Sequence, residues 1–453
     1  MTTSSHFKIL LLLLLMATSS VSVFATDPSF QSKVDSFLKP AMDQDLISGS
    51  VLIARRGEIL VSKGYGMANR EYDIPNTPES KFRLGSISKQ FTAAAIMLLE
   101  ERNLLSMSDP VSRFYPDYPG GDKITIHHLL THTSGIPNFT GGDAGPEMYV
   151  YPHTIDEVIN TFKDKPLQFQ PGEKWAYTNS GYVLLAGIVE KAANTPFIDF
   201  LQSNIFDPLA MKNTGQDSYT AIIKNRAEGH VSFSFDVTRV DYRDLPTMAG
   251  AGSLYSTVSD LYLWDQALYS DRLLSRASRD KMFTAQKDAY GYGWFVEDRN
   301  GHRALSHRGE ISGFIGSIDR YPDDSITVIA LFNYESTLAR AAIRGLNDLA
   351  LGREPKPLLV AEPPTIDSTL LASYAGVYQF GEKDSLRVAV DNGSLYVIGL
   401  SAQRPVPASP QTAALFFIRG LNSLVKFEAD ADGKFNSLTL VNSVQVYKAK
   451  RVA

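Results

Sequence analysis

The chain has 453 residues, of which 44% are hydrophobic and 21% charged, which fits a folded protein of one large and one small domain. A formal net charge of -5 and a pI near 5.9 give no electrostatic case for nucleic acid or an anionic membrane as partner. The absence of cysteine excludes disulfides, thiolate metal sites and a cysteine nucleophile.

The first segment reads as an export leader. Lys8 supplies the positive start, Ile9 to Met16 the apolar stretch, and Val23-Phe24-Ala25 the small residues of a cleavage site. The apolar stretch is too short for a comfortable membrane span. Cleavage after residue 25 removes Lys8 and no acid, taking the charge from -5 to -6. The expected location is therefore secreted or periplasmic, with no integral span in the mature chain.

Residues 48–54 and 58–62 alternate as two strands joined at Arg56-Gly57. Next comes Ser86-Ile87-Ser88-Lys89, with Gly85 before it and an Ala/Leu-rich run after it, which predicts a turn into a helix over about 89–103. Serine and lysine three apart share a helix face, so the amine reaches the hydroxyl at the positive end of the helix dipole. That is one way to activate a weak nucleophile. Ser-x-x-Lys also occurs at Ser5/Lys8, Ser36/Lys39, Ser278/Lys281 and Ser423/Lys426. Those strings lie in the leader, in charged helical stretches or in a strand, and only Ser86 combines a preceding turn with an apolar helix.

His127, His128 and His132 lack the spacing of a zinc helix, and a structural role is expected for them. Helical patterns cover 155–163 and 181–194. Between them Tyr177-Thr178-Asn179 is the sole Tyr-x-Asn of the chain. In a tight loop it aims a phenol and an amide at one cleft. A phenol near a lysine ammonium is expected to titrate low and to act as general base. The bland alternative is an aromatic turn capping the next helix.

Leu305 to Phe314 contains His307-Arg308-Gly309-Glu310, where the glycine permits close backbone approach. By itself this reads more readily as a surface histidine beside an arginine. Strand alternation turns Arg308 away from His307. Residues 317–321 and 326–332 form a second hairpin, and a helix over 337–351 closes the large domain. Strands at both chain ends with helices between predict an α+β domain over 26–351. Pro355, Pro357, Pro363 and Pro364 mark a linker at 352–366, and the short strands of 367–453 predict a small barrel or sandwich. Glu428 to Gly433 resembles half a calcium loop, but its twelfth position is Thr439, so a charged turn is expected and no metal site. Asn138-Phe139-Thr140 and Asn392-Gly393-Ser394 are glycosylation sequons. No Gly-x-Ser-x-Gly occurs, which argues against a nucleophile-elbow hydrolase.

Taken in order, Ser86/Lys89, Tyr177/Asn179 and His307/Gly309 resemble the three motifs of the serine β-lactamase and penicillin-binding-protein superfamily, in its class C β-lactamase-like branch. Leu129 to Gly135 and Ala249 to Thr257 are similar to strings of that family. Residues 366–453 resemble, more weakly, the lipocalin-like barrel that follows some of these hydrolases. The resemblance implies an acyl-enzyme on Ser86, general-base work shared by Lys89 and Tyr177, an oxyanion site from the backbone N–H groups of Ser86 and Glu310, and substrate orientation by Asn179 and His307, with no cofactor. The family's β-lactamases carry Lys-Thr-Gly where this chain has His307-Arg308-Gly309. The implied activity is therefore an esterase or D-residue peptidase acting on a small molecule or short peptide. A β-lactamase and a non-catalytic binder of cell-wall fragments are the alternatives.

Overall fold

A computed structural model describes residues 27–140, 146–233, 236–358, 366–381, 384–399, 402–418, 423–441 and 446–452. The expected leader at 1–25 lies outside these. So does the 359–365 part of the expected linker. Among the described residues no helix is long and apolar enough to cross a membrane.

The centre of the large domain is a six-stranded antiparallel sheet. Its order is Phe295–Arg299, His302–Ile311, Phe314–Tyr321, Ile326–Phe332, Gly49–Arg55, Glu58–Tyr65. The two chain ends therefore meet in one sheet, as expected, with Val51 opposite Ala330. The first hairpin turns at Arg56 and Gly57, whose φ values of 52° and 81° suit a two-residue turn that follows the strand twist.

Side-chain alternation divides the sheet between two cores. Val51, Ile53, Val328 and Ala330 face the terminal helices Pro28–Asp43 and Thr337–Ala350, meeting Leu38, Ile343 and Leu346. Leu52, Ile329 and Leu331 face the helical half of the domain. The first part of the proline-rich segment is docked rather than free, since Leu358 is buried in the terminal-helix core.

The helix Ser88–Glu101 lies at the heart of the helical half and is buried from Ser88 through Leu99. A run with no polar face can only sit between other elements, and here it packs beside the helix Asn179–Ala193, itself buried from Ser180 to Val189.

The C-terminal strands, from Gly376–Phe380 to Val446–Arg451, close into an eight-stranded antiparallel barrel. Its interior is filled by side chains. Tyr374 stacks on Phe427 at 4.2 Å between centroids, Phe416 meets both edge-on, and Leu386, Val397 and Leu438 complete the core. At Asp430 the carboxylate accepts from the N–H groups of Asp432 and Lys434, so the calcium-like string is a turn.

Candidate active site

Ser86 lies in a single 3-10 turn, Gly85–Ile87, that runs directly into the helix carrying Lys89. Lys89 Nζ is 3.0 Å from Ser86 Oγ, 2.8 Å from Asn179 Oδ1 and 2.8 Å from the Ala251 carbonyl. The Asn179 and Ala251 oxygens can only accept, which uses both N–H groups of a neutral amine and leaves its lone pair to the Ser86 hydroxyl. Lys89 is completely buried. Loss of hydration pushes its ammonium well below the ordinary lysine range.

Two of the other Ser-x-x-Lys strings do different work. Lys39 pairs with Asp43 at an exposed surface. Ser278 and Lys281 bond Glu101 and Glu100 at the far end of the helix Ser88–Glu101.

Tyr177 sits two residues before the helix Asn179–Ala193. Its phenol shares a hydrogen bond with the Ser86 side chain, yet burial outweighs that bond and raises its pKa above the ordinary tyrosine value. The expected low-titrating phenol is therefore corrected. The Lys89 amine lies over the Tyr177 ring face, 4.8 Å from the centroid, and its own charge is suppressed by burial. Asn179 also differs from the expectation that it faces substrate. Its Oδ1 is engaged by Lys89, while its Nδ2 donates to Thr140 Oγ1 at 2.9 Å. Thr140 in turn donates to Asn138 Oδ1, which also accepts the Asn179 N–H. The sequon at Asn138 is thus a brace for the lysine.

Gly309 lies against the turn of Ser86. A Cβ there would fall 1.8 Å from the Leu84 carbonyl oxygen and 3.2 Å from Ser86 N. Gly85, at φ 51°, approaches Glu310 in the same way, its virtual Cβ 2.9 Å from Glu310 N. These two glycines let the backbones of Ser86 and Glu310 touch, which is the arrangement a shared oxyanion site requires.

His307 is buried and neutral. Its Nδ1 lies 2.7 Å from the Arg308 carbonyl, an acceptor only, so the proton is on Nδ1 and Nε2 accepts from the Tyr290 hydroxyl at 2.9 Å. Burial, the largest cause, brings its pKa down to about 3. The ring is held by Tyr290 and presents no free donor to a substrate. Arg308 is exposed on the alternate face, as strand geometry requires. The two glutamates of the cleft are paired: Glu310 with Arg340 at 2.9 and 2.6 Å, and Glu297 with Arg299 at 3.0 Å.

Ser86, Tyr177, His307, Arg308 and Glu310 line one cleft of 380 Å³ with Phe295, Glu297, Arg299 and Ser306. The strand Phe295–Arg299 pairs with His302 to Ser306, and Phe295 also bridges to Tyr290. Beyond Ser306 that edge of the His302–Ile311 strand is not paired with any strand among the described residues, and it lies beside Ser86.

The structure also brings in residues without a spacing signal. Ala251 supplies its carbonyl from 162 positions away. Tyr290 holds His307, and the only hint of it is the alternation Tyr290-Gly291-Tyr292-Gly293. The three histidines part company: His127 Nδ1 meets the Tyr292 hydroxyl, His128 Nδ1 accepts the Thr125 N–H, and His132 is buried among Trp175, Tyr177, Tyr182 and Tyr290.

Comparison with known proteins agrees with this geometry. A family model described as Beta-lactamase matches residues 34–352. The chain is 31% identical over 420 residues to Penicillin-binding protein 4* of Bacillus subtilis, covering 85% of this chain and 91% of that one. It is 25% identical over 312 residues to the Teichoic acid D-alanine hydrolase of Staphylococcus aureus, covering 67% and 74%. Among solved structures, the octameric penicillin-binding protein homologue from Pyrococcus abyssi superposes with a TM-score of 0.64 at 26% identity, covering 92% of this chain and 99% of that one. The chain belongs to the β-lactamase family, within the serine hydrolase superfamily of penicillin-binding-protein-like folds.

Proposed function

We propose that this protein is an exported serine hydrolase that cleaves esters or amides of D-residue compounds through an acyl-enzyme on Ser86. The observation that carries this reading is the Lys89 amine, stripped of charge by burial and 3.0 Å from Ser86 Oγ. Ser86 Oγ attacks the substrate carbonyl and its proton passes to Lys89 Nζ. The carbonyl oxygen, now an anion, is met by the N–H groups of Ser86 and Glu310, each such donor being worth about 2.7–4 kcal/mol to the transition state. Tyr177 keeps its proton in the resting site and delivers it to the departing oxygen or nitrogen. The phenolate then recovers a proton from the Lys89 ammonium. Water repeats the sequence in reverse and releases the acid.

The unpaired edge beyond Ser306 gives a peptide-like acyl chain backbone groups to bond. A neutral His307, tied to Tyr290, supplies no charge for a substrate carboxylate, which favours esters and peptides over β-lactams as acyl donors. The name of the Staphylococcus relative, a D-alanine hydrolase, supports a D-configured acyl group.

The test is a panel of p-nitrophenyl esters, D-aminoacyl amides, D-Ala-D-Ala peptides and nitrocefin, ranked by kcat/KM, with mass spectrometry of the protein after an acylating probe. Esters or D-residue substrates should lead, and Ser86→Ala should lose both turnover and label. Turnover by Ser86→Ala would sink the assignment. Nitrocefin at the head of the ranking would replace it with a β-lactamase, and binding without acylation with a sensor.

A further inference from the structure

Tyr177 and Asn179 must stand in register with Lys89, yet they leave a loop, and something must hold that loop. The residue that does so is outside all three motifs. His132 grips the chain on both sides of Tyr177: its carbonyl accepts the Ala176 N–H at 2.9 Å, and its Nδ1 accepts the Thr178 N–H at 3.2 Å. One residue can present both acceptors to the same segment because its backbone is left-handed, at φ 57°, a region where histidine, asparagine and aspartate are enriched among non-glycine residues.

The side chain adds a second hold. Its ring lies 4.3 Å from the Tyr177 ring, with Tyr290 at 4.6 Å and Tyr182 at 5.1 Å. His132 has no exposed surface. With Nδ1 accepting, the proton of the neutral ring is on Nε2, and that atom has no hydrogen-bond partner among the described residues. Burial, with Lys89 and His307 nearby, keeps it uncharged. It therefore sets no cation against the lysine.

We propose that His132 is a positioning residue for acyl transfer, setting the Tyr177 phenol and the Asn179 amide against Lys89 through its bonds to Ala176 and Thr178. Thr178 is the residue from which the helix Asn179–Ala193 departs, so a shift there carries Asn179 away from Lys89 Nζ. Misplacement by about 1 Å can cost on the order of 10²-fold in rate. The inference rests on the serine hydrolase reading, and the wild type's turnover and its loss in Ser86→Ala test that reading separately.

The experiment uses the full chain and the best ester of the panel. His132→Phe keeps an aromatic ring and removes the Nδ1 acceptor. His132→Asn keeps an acceptor near the Nδ1 position and suits a left-handed backbone. His132→Phe should lower kcat by about 10²-fold with KM within about threefold, whereas His132→Asn should return to within about tenfold of wild type. His132→Leu, close in shape to asparagine but without an acceptor, should behave as His132→Phe. Thermal melting of each variant checks folding. Equal losses in His132→Asn and His132→Leu, or wild-type kcat in His132→Phe, would overturn the proposal. So would failure of both acceptor-free variants to fold, since His132 would then serve folding and not the alignment of the reacting groups.

Discussion

Lys89 has a proton to accept only if it arrives without one, and burial arranges this at a cost in stability rather than by a neighbouring charge. Among the described residues its hydrogen-bond partners are Ser86 Oγ, Asn179 Oδ1 and the Ala251 carbonyl, none of which is an anion. In the proposed mechanism the free amine is the active form, so kcat/KM should rise with pH through an apparent pKa below that of free lysine and then level off. A profile still climbing above pH 10 would instead mark the Tyr177 phenolate as the base. Lys89→Arg, which cannot shed its proton, should lose about 10³-fold in kcat. His307 gives a prediction about stability. Folded, it takes a proton only near pH 3, against 6.5 for the unperturbed ring. Between those values the unfolded chain binds more protons, so stability falls as pH drops from about 6.5, by about 1.4 kcal/mol per pH unit for this one ring. Urea midpoints at pH 7 and pH 5 should show that slope, and His307→Asn should flatten part of it.

Between elements, the site depends on how closely the His302–Ile311 strand meets the turn of Ser86. Gly309→Ala would place a methyl 1.8 Å from the Leu84 carbonyl, so the strand or the turn must move. We expect a kcat loss of 10²-fold or more, roughly the value of one oxyanion donor, with about 1–3 kcal/mol of destabilisation read by urea unfolding. Gly57→Ala is the control. Its φ of 81° lies in the left-handed region, unlike that of Gly309, but there is open space around it, so it should cost about 1 kcal/mol and leave kcat unchanged. These elements were largely legible in the sequence. The hairpin turn at Arg56-Gly57, the apolar helix after Ser88 and the strands at both ends follow from periodicity and turn chemistry, and they appear within a few residues of their expected bounds. The orientation of Asn179 was not legible, because Thr140 lies 39 positions away and nothing in either segment's pattern announces the bond.

Over the whole molecule, the hydrophobic residues fall into two cores on the faces of the large sheet and a third inside the barrel. The third is centred on the Tyr374–Phe427 stack. Phe427→Ala should therefore destabilise the barrel by about 3–5 kcal/mol, seen as an earlier calorimetric transition, while ester turnover at Ser86 persists. A parallel loss of turnover would tie the barrel to the cleft. The sequence by itself pointed to the fold class, to a small all-β unit after the linker and to Ser86, Lys89, Tyr177 and His307 as candidates, because apolar periodicity and motif order are local properties of a chain. Only the tertiary structure decided which group holds the proton and which residues hold the others in place. Lys89 is lowered and Tyr177 raised by the same burial, and burial is made by segments far apart in the chain. For the same reason Ala251, Tyr290 and His132 enter the site from outside the three motifs, each brought there by folding.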